Sequence, residues 1–202
     1  IVEYVLERPA AASTADESAV IFCLDISGSM CVTSEVRRDG RTRYMSRLEA
    51  VQQAVIAQIA DMARTQPSKR AALVTFSDDV EIIGDASGAP EVVAGAKLSD
   101  WDVLLQIGQG HTFSQVPVER SKKALTDAVS KLEEKGSTAL GPAILISVAM
   151  ASNLRGSSVV VCTDGLSNVG LGSIEGVDDA LAAASFYEKV GKLAKDAGVS
   201  VG

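Results

Sequence analysis

The sequence predicts a doubly wound α/β domain, in which a mostly parallel sheet is flanked by helices on both faces. Three short apolar runs are typical of parallel strands that are buried on both sides, at residues 20–24, 72–76 and 158–162. Segments with apolar residues at three- and four-residue steps lie between them and predict amphipathic helices. Alternating strands and helices require right-handed crossovers, which place helices on both faces of the sheet.

Four helices are predicted in this way, over residues 46–64, over 121–135, from 141 onward and over 178–197. The first begins with a capping box, "SRLE", in which Ser46 is the N-cap and Glu49 stands three residues later. Gly136 is placed to end the second. Pro142 stands near the start of the third, almost wholly apolar helix, where its missing N–H does no harm.

The remaining segments divide the chain. Residues 80–83 follow a Ser-Asp-Asp turn and predict a hairpin or edge strand. Residues 84–117 show no clear periodicity and stay unassigned. Residues 1–17 resemble a strand and a linker that lead out of a preceding domain, whereas 18–202 form one domain by length, incomplete at its C-terminal end. We therefore expect a piece of a larger polypeptide.

Composition excludes several kinds of partner. The chain has 202 residues and a formal net charge of -7, which disfavours binding to nucleic acid or to an anionic membrane. The strongly apolar stretch at 139–151 is too short to span a bilayer, which predicts no direct membrane insertion. Three cysteines cannot all pair with one another, and Cys23 and Cys162 lie in apolar runs. Reduced thiols and an intracellular, cytoplasmic location are expected.

Hard oxygen donors follow two of the strands and one helix. Asp25, Ser27 and Ser29 lie in "DISGS", Thr138 lies in "GST", and Asp164 lies in "TDG". In a doubly wound sheet, loops beyond the carboxyl ends of the strands gather into one site. Two carboxylates and three hydroxyls favour Mg²⁺, Mn²⁺ or Ca²⁺ over zinc or copper. Alternatively, the serines cap a turn and the aspartates satisfy backbone N–H groups, which explains each loop but not the three together.

This order of motifs, D-x-S-x-S, then a loop Thr, then Asp after a strand, resembles the metal-ion-dependent adhesion site (MIDAS) of von Willebrand factor A (VWA) domains. The resemblance covers roughly residues 18–201 and implies the Rossmann-like VWA fold. D-x-S-x-S alone is a weak signal, but "GSTALG" and "VVVCTDG" stand at the expected places in the α/β order.

The resemblance also implies roles for the five donors. Ser27, Ser29 and Thr138 would coordinate the cation directly or nearly so, whereas Asp25 and Asp164 would act directly or through water. A protein partner would supply a Glu or Asp carboxylate to the open position. The first strand and the strand before "TDG" are neighbours in this family, which implies that Cys23 and Cys162 lie side by side beneath the site. They are still expected to be thiols, because cross-linking adjacent strands requires unfavourable disulfide geometry.

The loop after Met30 is longer than is usual in the family. Asp39-Gly40 within it suggests a hairpin turn. Four arginines in this loop would stand at the rim of the metal site: Arg37, Arg38, Arg41 and Arg43. They form either a solvated charged loop or a patch that steers an acidic partner segment.

The sequence thus predicts a divalent-cation-dependent protein interaction module that is not an enzyme. No G-x-x-x-x-G-K-[ST] phosphate loop occurs, and nothing places His111, the single histidine, near the serines. A metal-assisted hydrolase is a weaker alternative, because no general base is evident beyond the ligands themselves. A scaffold subunit is another, since the opening segment is similar to that of inner-coat subunits of secretory vesicles, where the metal motif is usually eroded.

Overall fold

The computed structural model describes residues 18–38, 41–111, 116–174 and 179–202. The predicted strand and linker at 1–17 lie outside this part of the chain. Its strands are β1 (Ala19–Asp25), β2 (Thr33–Arg38), β3 (Arg41–Ser46), β4 (Arg70–Phe76), β5 (Val80–Gly84), β6 (Glu91–Val93), β7 (Ser158–Cys162) and β8 (Ser200–Val201). Its α-helices are α1 (Arg47–Thr65), α2 (Trp101–Gly110), α3 (Val118–Ser130), α4 (Leu140–Ala151) and α5 (Asp179–Ala197).

Six of the strands form one mixed sheet in the order β6-β5-β4-β1-β7-β8. The pairs among β4, β1, β7 and β8 are parallel, whereas β5 and β6 are antiparallel to their neighbours. The predicted α/β class and mostly parallel sheet are confirmed. The segment at 80–83 does form a hairpin with β4, but β6 takes the edge of the sheet.

Helices cover both faces of the sheet because β1 and β4 are apolar on both sides. Ile21 and Cys23 of β1 belong to a core with α2, α4 and α5. Val20, Phe22 and Leu24 alternate with them and face α1 and α3. Helix α4 is buried along nearly its whole length, as its apolar sequence requires.

The capping box of α1 is present as predicted. The Glu49 amide donates to Ser46 Oγ at 3.0 Å, and the Ser46 amide donates to Glu49 Oε2 at 2.8 Å. The prediction for the second helix was wrong at both ends, since α3 starts at Val118 and stops at Ser130. Residues 131–135 leave the helix because the Lys135 amide donates to the Ile26 carbonyl at 2.7 Å. Gly136 consequently lies in the loop to α4, with φ +67°.

The unassigned segment 84–117 holds β6, a 3-10 helix at Gly95–Ser99 and the helix α2. Helix α2 is ten residues long, too short for a clear period. Its N-terminus is capped by Asp100, whose carboxylate accepts from the amides of Asp102 and Val103. Gly108 lets it approach α4 closely, since a Cβ there would lie 2.5 Å from the Ala149 Cβ.

One prediction about the cysteines is confirmed and another is wrong. Strands β1 and β7 are neighbours, but the register pairs Cys23 with Val161 and Leu24 with Cys162. Cys23 and Cys162 therefore belong to opposite faces of the sheet, and the expectation that they lie side by side was wrong. Both are thiols, as is Cys31. Burial raises the pKa of Cys23 to about 12, and burial also raises the pKa of Cys162.

Among the described residues, no helix is both long and apolar enough to cross a lipid bilayer.

Candidate metal centre

Three loops meet at the edge of the sheet where β1, β4 and β7 end. These strands are parallel, so their carboxyl ends share that edge. Strand β1 ends in Asp25, and β7 is followed by Thr163 and Asp164. The loop between α3 and α4 brings Thr138 to the same edge, because its Gly136 carbonyl accepts from the Gly28 amide at 3.0 Å.

A continuous chain of hydrogen bonds joins four of the five predicted ligands. The Ser27 amide donates to Asp25 Oδ1 at 2.8 Å. Ser27 Oγ lies 3.0 Å from Ser29 Oγ, and Ser29 Oγ donates to Asp164 Oδ1 at 2.8 Å. Residues at most four positions apart on one loop are thus linked to a carboxylate that lies 135 positions after Ser29 in the sequence.

Asp25 is the most deeply buried member of the group, with an exposed fraction of 0%. Its Oδ1 accepts from the Ser27 amide, and its Oδ2 accepts from Thr163 Oγ1 at 2.6 Å. Within the described part of the chain, both of these hydrogen-bond donors are neutral. A buried carboxylate is usually paired with a cationic group or a metal ion, and none of the described residues places a cationic side chain within hydrogen-bond distance of Asp25.

Thr138 is held by its backbone. Its amide donates to Asn168 Oδ1 at 2.8 Å, and its carbonyl accepts from the Asn168 amide at 3.0 Å. The preceding Ser137 amide donates to Asp78 Oδ1 at 2.9 Å. The residue is buried, with 6% exposed, so the loop after β4 and the loop after β7 together fix its position.

Turn capping explains only part of this arrangement. Asp25 does accept a backbone N–H, as the alternative interpretation requires. Ser27 precedes the 3-10 helix at Gly28–Cys31, but its side chain does not cap that helix. Its hydroxyl meets Ser29 instead, and the Ser29 hydroxyl meets Asp164. The hydroxyls therefore converge on the carboxylate rather than on the local backbone.

Sequence reasoning missed Arg47, which forms an ion pair with Asp164 through Nη1 and Oδ2. The same Nη1 lies 3.4 Å from the Ser29 carbonyl. Arg47 is the second residue of "SRLE", but the capping-box pattern concerns only Ser46 and Glu49. Thr163 and Asn168 were missed as well. Thr163 directly precedes Asp164 in "TDG", and Asn168 lies in the glycine-rich segment that follows.

A second basic side chain near the site, that of Lys135, is already paired with carboxylates. Lys135 Nζ lies 2.9 Å from Glu81 Oε1 and 3.9 Å from Asp79 Oδ1. The hydrogen bond with Glu81 is the main cause of a raised pKa for Lys135. Among the described residues, Arg47 is thus the cationic side chain that contacts a predicted ligand directly.

The long loop after Met30 forms the β2–β3 hairpin, in which Arg38 pairs with Arg41. The turn residues 39–40 and the side chains of Arg37, Arg38 and Arg41 lie outside the described residues. Arg43 is exposed. At about 3.4 Å per residue, it lies roughly 10 Å along β3 from Ser46, where the hairpin adjoins the site.

His111 lies away from the candidate metal centre. Its Nε2 would be 3.1 Å from a Cβ on Gly84. Gly84 ends β5, whereas Val80 at the other end of β5 pairs with Phe76 beside the site. The histidine is therefore separated from the serines by about the length of β5.

The donor set fits a hard divalent cation. Carboxylate and hydroxyl oxygens are the ligands that Mg²⁺ and Ca²⁺ prefer. Among the described residues, no group of three or more His, Cys, Asp or Glu side chains is suited to a metal. The predicted set differs from such a group, because it has only two carboxylates and its other three donors are hydroxyls. Each carboxylate oxygen of Asp25 accepts one hydrogen bond and retains a further lone pair.

Comparison with known sequences finds one strong relative. No protein-family model matches the chain. The chain is 42% identical over 218 aligned positions to "Circularly permutated Ras protein 1" from Dictyostelium discoideum. The alignment covers 96% of this chain and 26% of that protein. The chain therefore spans about a quarter of the length of the relative it matches.

Comparison with solved structures shows a VWA-like fold. A von Willebrand factor type A protein from Catenulispora acidiphila superimposes with a TM-score of 0.52 at 14% identity, over 92% of this chain and 32% of that one. A mutant of the PilB minor pilin from Streptococcus sanguinis gives 0.57 at 15%, over 96% and 52%. The human COPII-coat protein Sec24c gives 0.53 at 12%, over 92% and 26%. Identities this low concern the fold alone.

Proposed function

We propose that this VWA-like domain is a divalent-cation-dependent protein interaction module. Asp25, Ser27, Ser29, Thr138 and Asp164 would hold Mg²⁺, Mn²⁺ or Ca²⁺, and the bound ion supplies an open coordination position for a Glu or Asp carboxylate of a protein partner. The observation that carries the proposal is the fully buried Asp25 carboxylate, whose described hydrogen-bond donors are neutral. Its link through two serines to a second carboxylate supports it further.

The β2–β3 hairpin is proposed to steer the acidic partner. It forms a two-stranded sheet of its own, apart from the main sheet, and its base adjoins the site through the Arg47 amide, which donates to the Val32 carbonyl at 3.1 Å. Four arginines in the hairpin oppose the net charge of -7 that the chain carries. Positive charge on this hairpin would accelerate association of an acidic segment with the domain, most strongly at low salt.

We also propose that this domain acts by binding rather than by catalysis. The relative in D. discoideum is named as a Ras protein, and Ras-type nucleotide binding uses a G-x-x-x-x-G-K-[ST] loop. That motif does not occur in this sequence. Any nucleotide chemistry of a longer protein is therefore assigned to a part other than this domain.

We further propose an intracellular location, because free thiols are typical of a reducing compartment.

A scaffold role is the second candidate, and the Arg47–Asp164 ion pair favours it. The guanidinium already places a positive charge against one of the two carboxylates of the site. A domain in which Arg47 neutralises Asp164 would need no metal ion at this site, and it could use the VWA-like fold for assembly alone.

Calorimetric titration of the chelator-treated protein with Mg²⁺, Mn²⁺ and Ca²⁺ separates the two candidates. The interaction module predicts saturable binding of one ion, which Asp25→Asn abolishes while the circular dichroism spectrum keeps its native form. A matched variant is Asp61→Asn, which alters an exposed carboxylate on α1 that forms an ion pair with Arg64 in its own helix. Equal binding by both variants and by the wild type would contradict the proposed site.

A further inference from the structure

Arg47 engages the candidate metal centre at one of its proposed ligands. Both oxygens of Asp164 are occupied, Oδ1 by the Ser29 hydroxyl and Oδ2 by the Arg47 guanidinium. The Asp164 side chain is 12% exposed and that of Arg47 is 46% exposed. Arginine does not lose its charge in proteins, so a fixed positive charge stands in contact with Asp164.

We propose that Arg47 is a built-in competitor of the cation, which holds Asp164 in the cation-free protein and must release it for the ion to be bound. This inference rests on the proposed function, since it concerns the regulation of the same site. A guanidinium in contact with Asp164 repels a divalent ion placed among the same oxygens. Arg47 therefore lowers the affinity of the site and sets the concentration of free cation at which it fills.

The local structure lets the side chain of Arg47 move without its backbone. The Arg47 amide donates to the Val32 carbonyl, and the preceding Ser46 is fixed by the capping box. The long, half-exposed side chain ends in a guanidinium held by Asp164 and the Ser29 carbonyl. Rotation about side-chain bonds is enough to release Asp164, and α1 stays in place.

Charge balance supports the release. With Arg47 held on Asp164, Asp25 is the one carboxylate of the five proposed ligands that is not paired with a cationic side chain among the described residues. With Arg47 released, Asp25 and Asp164 together neutralise a divalent ion. A single side chain, that of Arg47, switches the site between these two states.

The test is a calorimetric titration with Mg²⁺ at low salt, comparing the wild type with Arg47→Gln. The variant is expected to bind about three- to tenfold more tightly, and the difference is expected to shrink at high salt, where ion pairs are screened. Arg47→Lys keeps the charge and is expected to remain nearer the wild type. The matched control is Arg64→Gln, which removes an ion pair with Asp61 at the other end of the same helix and should leave the affinity unchanged.

The outcomes separate this inference from the proposed function. Equal affinities of the wild type and Arg47→Gln, with both saturating, would overturn the role of Arg47 and leave the interaction module intact. Binding by Arg47→Gln alone would support the competition and would favour the scaffold role for the wild type. If neither protein binds Mg²⁺, Mn²⁺ or Ca²⁺ while both keep their native circular dichroism spectra, the inference and the proposed function are both contradicted.

Discussion

Gly136 offers a quantitative test of how the loop that carries Thr138 is held. It has φ +67°, and a Cβ at this position would overlap the Asp78 carboxylate, whose Cγ would lie 2.6 Å away. In Gly136→Ala, the left-handed backbone costs about 1 kcal/mol. Asp78 must also move, and its hydrogen bond from the Ser137 amide is worth about 1–2 kcal/mol for an exposed, charged acceptor.

The expected destabilisation is therefore about 2–3 kcal/mol, which lowers the Tm of a domain of this size by roughly 4–12 °C. Gly198→Ala is the matched control, because Gly198 has φ +69° and none of the described atoms lies within 4 Å of its would-be Cβ. It should cost only the backbone term, about 1 kcal/mol. Thermal unfolding with chelator present measures both. Equal losses in the two variants would refute the role of Asp78, as would full additivity with Asp78→Ala.

Three further predictions concern the first helix and the cysteine thiols. Ser46→Ala removes the N-cap of α1 and should lower the free energy of unfolding by about 1 kcal/mol in urea titrations, whereas Ser46→Thr, which keeps the hydroxyl and adds no charge beside Glu134, should lose much less; no change in Ser46→Ala would contradict the capping box. A thiol reagent should label Cys31 first, Cys162 more slowly and Cys23 only on unfolding, and early labelling of Cys23 would contradict its burial. Because the pKa of Cys23 rises from 9.0 to about 12 on folding, stability should fall as the pH increases from about 9 towards 12, and less steeply in Cys23→Ala.

The sheet could be predicted from the sequence because its strands are apolar on both faces and end at polar residues. The runs that became β1, β4 and β7 needed no tertiary information beyond that pattern. The end of α3 could not be predicted in the same way. Its apolar period continues to Leu132, but the Lys135 amide is taken by the Ile26 carbonyl, a contact between segments that are distant in sequence.

That the oxygen donors lie together could be predicted from the sequence, whereas the residues around them could not. Asp25, Ser27 and Ser29 follow a strand in a recognisable order, and the structure links them to Asp164 as expected. The position of Arg47 depends on where the β2–β3 hairpin returns the chain, which local patterns do not encode. The relative positions of Cys23 and Cys162 likewise depend on a one-residue register between β1 and β7.

Cation binding at the proposed site is tested most directly by thermal unfolding of the chelator-treated protein with increasing Mg²⁺, compared with the same titration of Asp164→Ala. A cation at ~100 times its dissociation constant should stabilise the folded state by about 2.7 kcal/mol, which raises the Tm by roughly 5–11 °C. We expect this shift in the wild type and none in Asp164→Ala. An unchanged Tm in both proteins, with Mn²⁺ and Ca²⁺ as well as Mg²⁺, would contradict it.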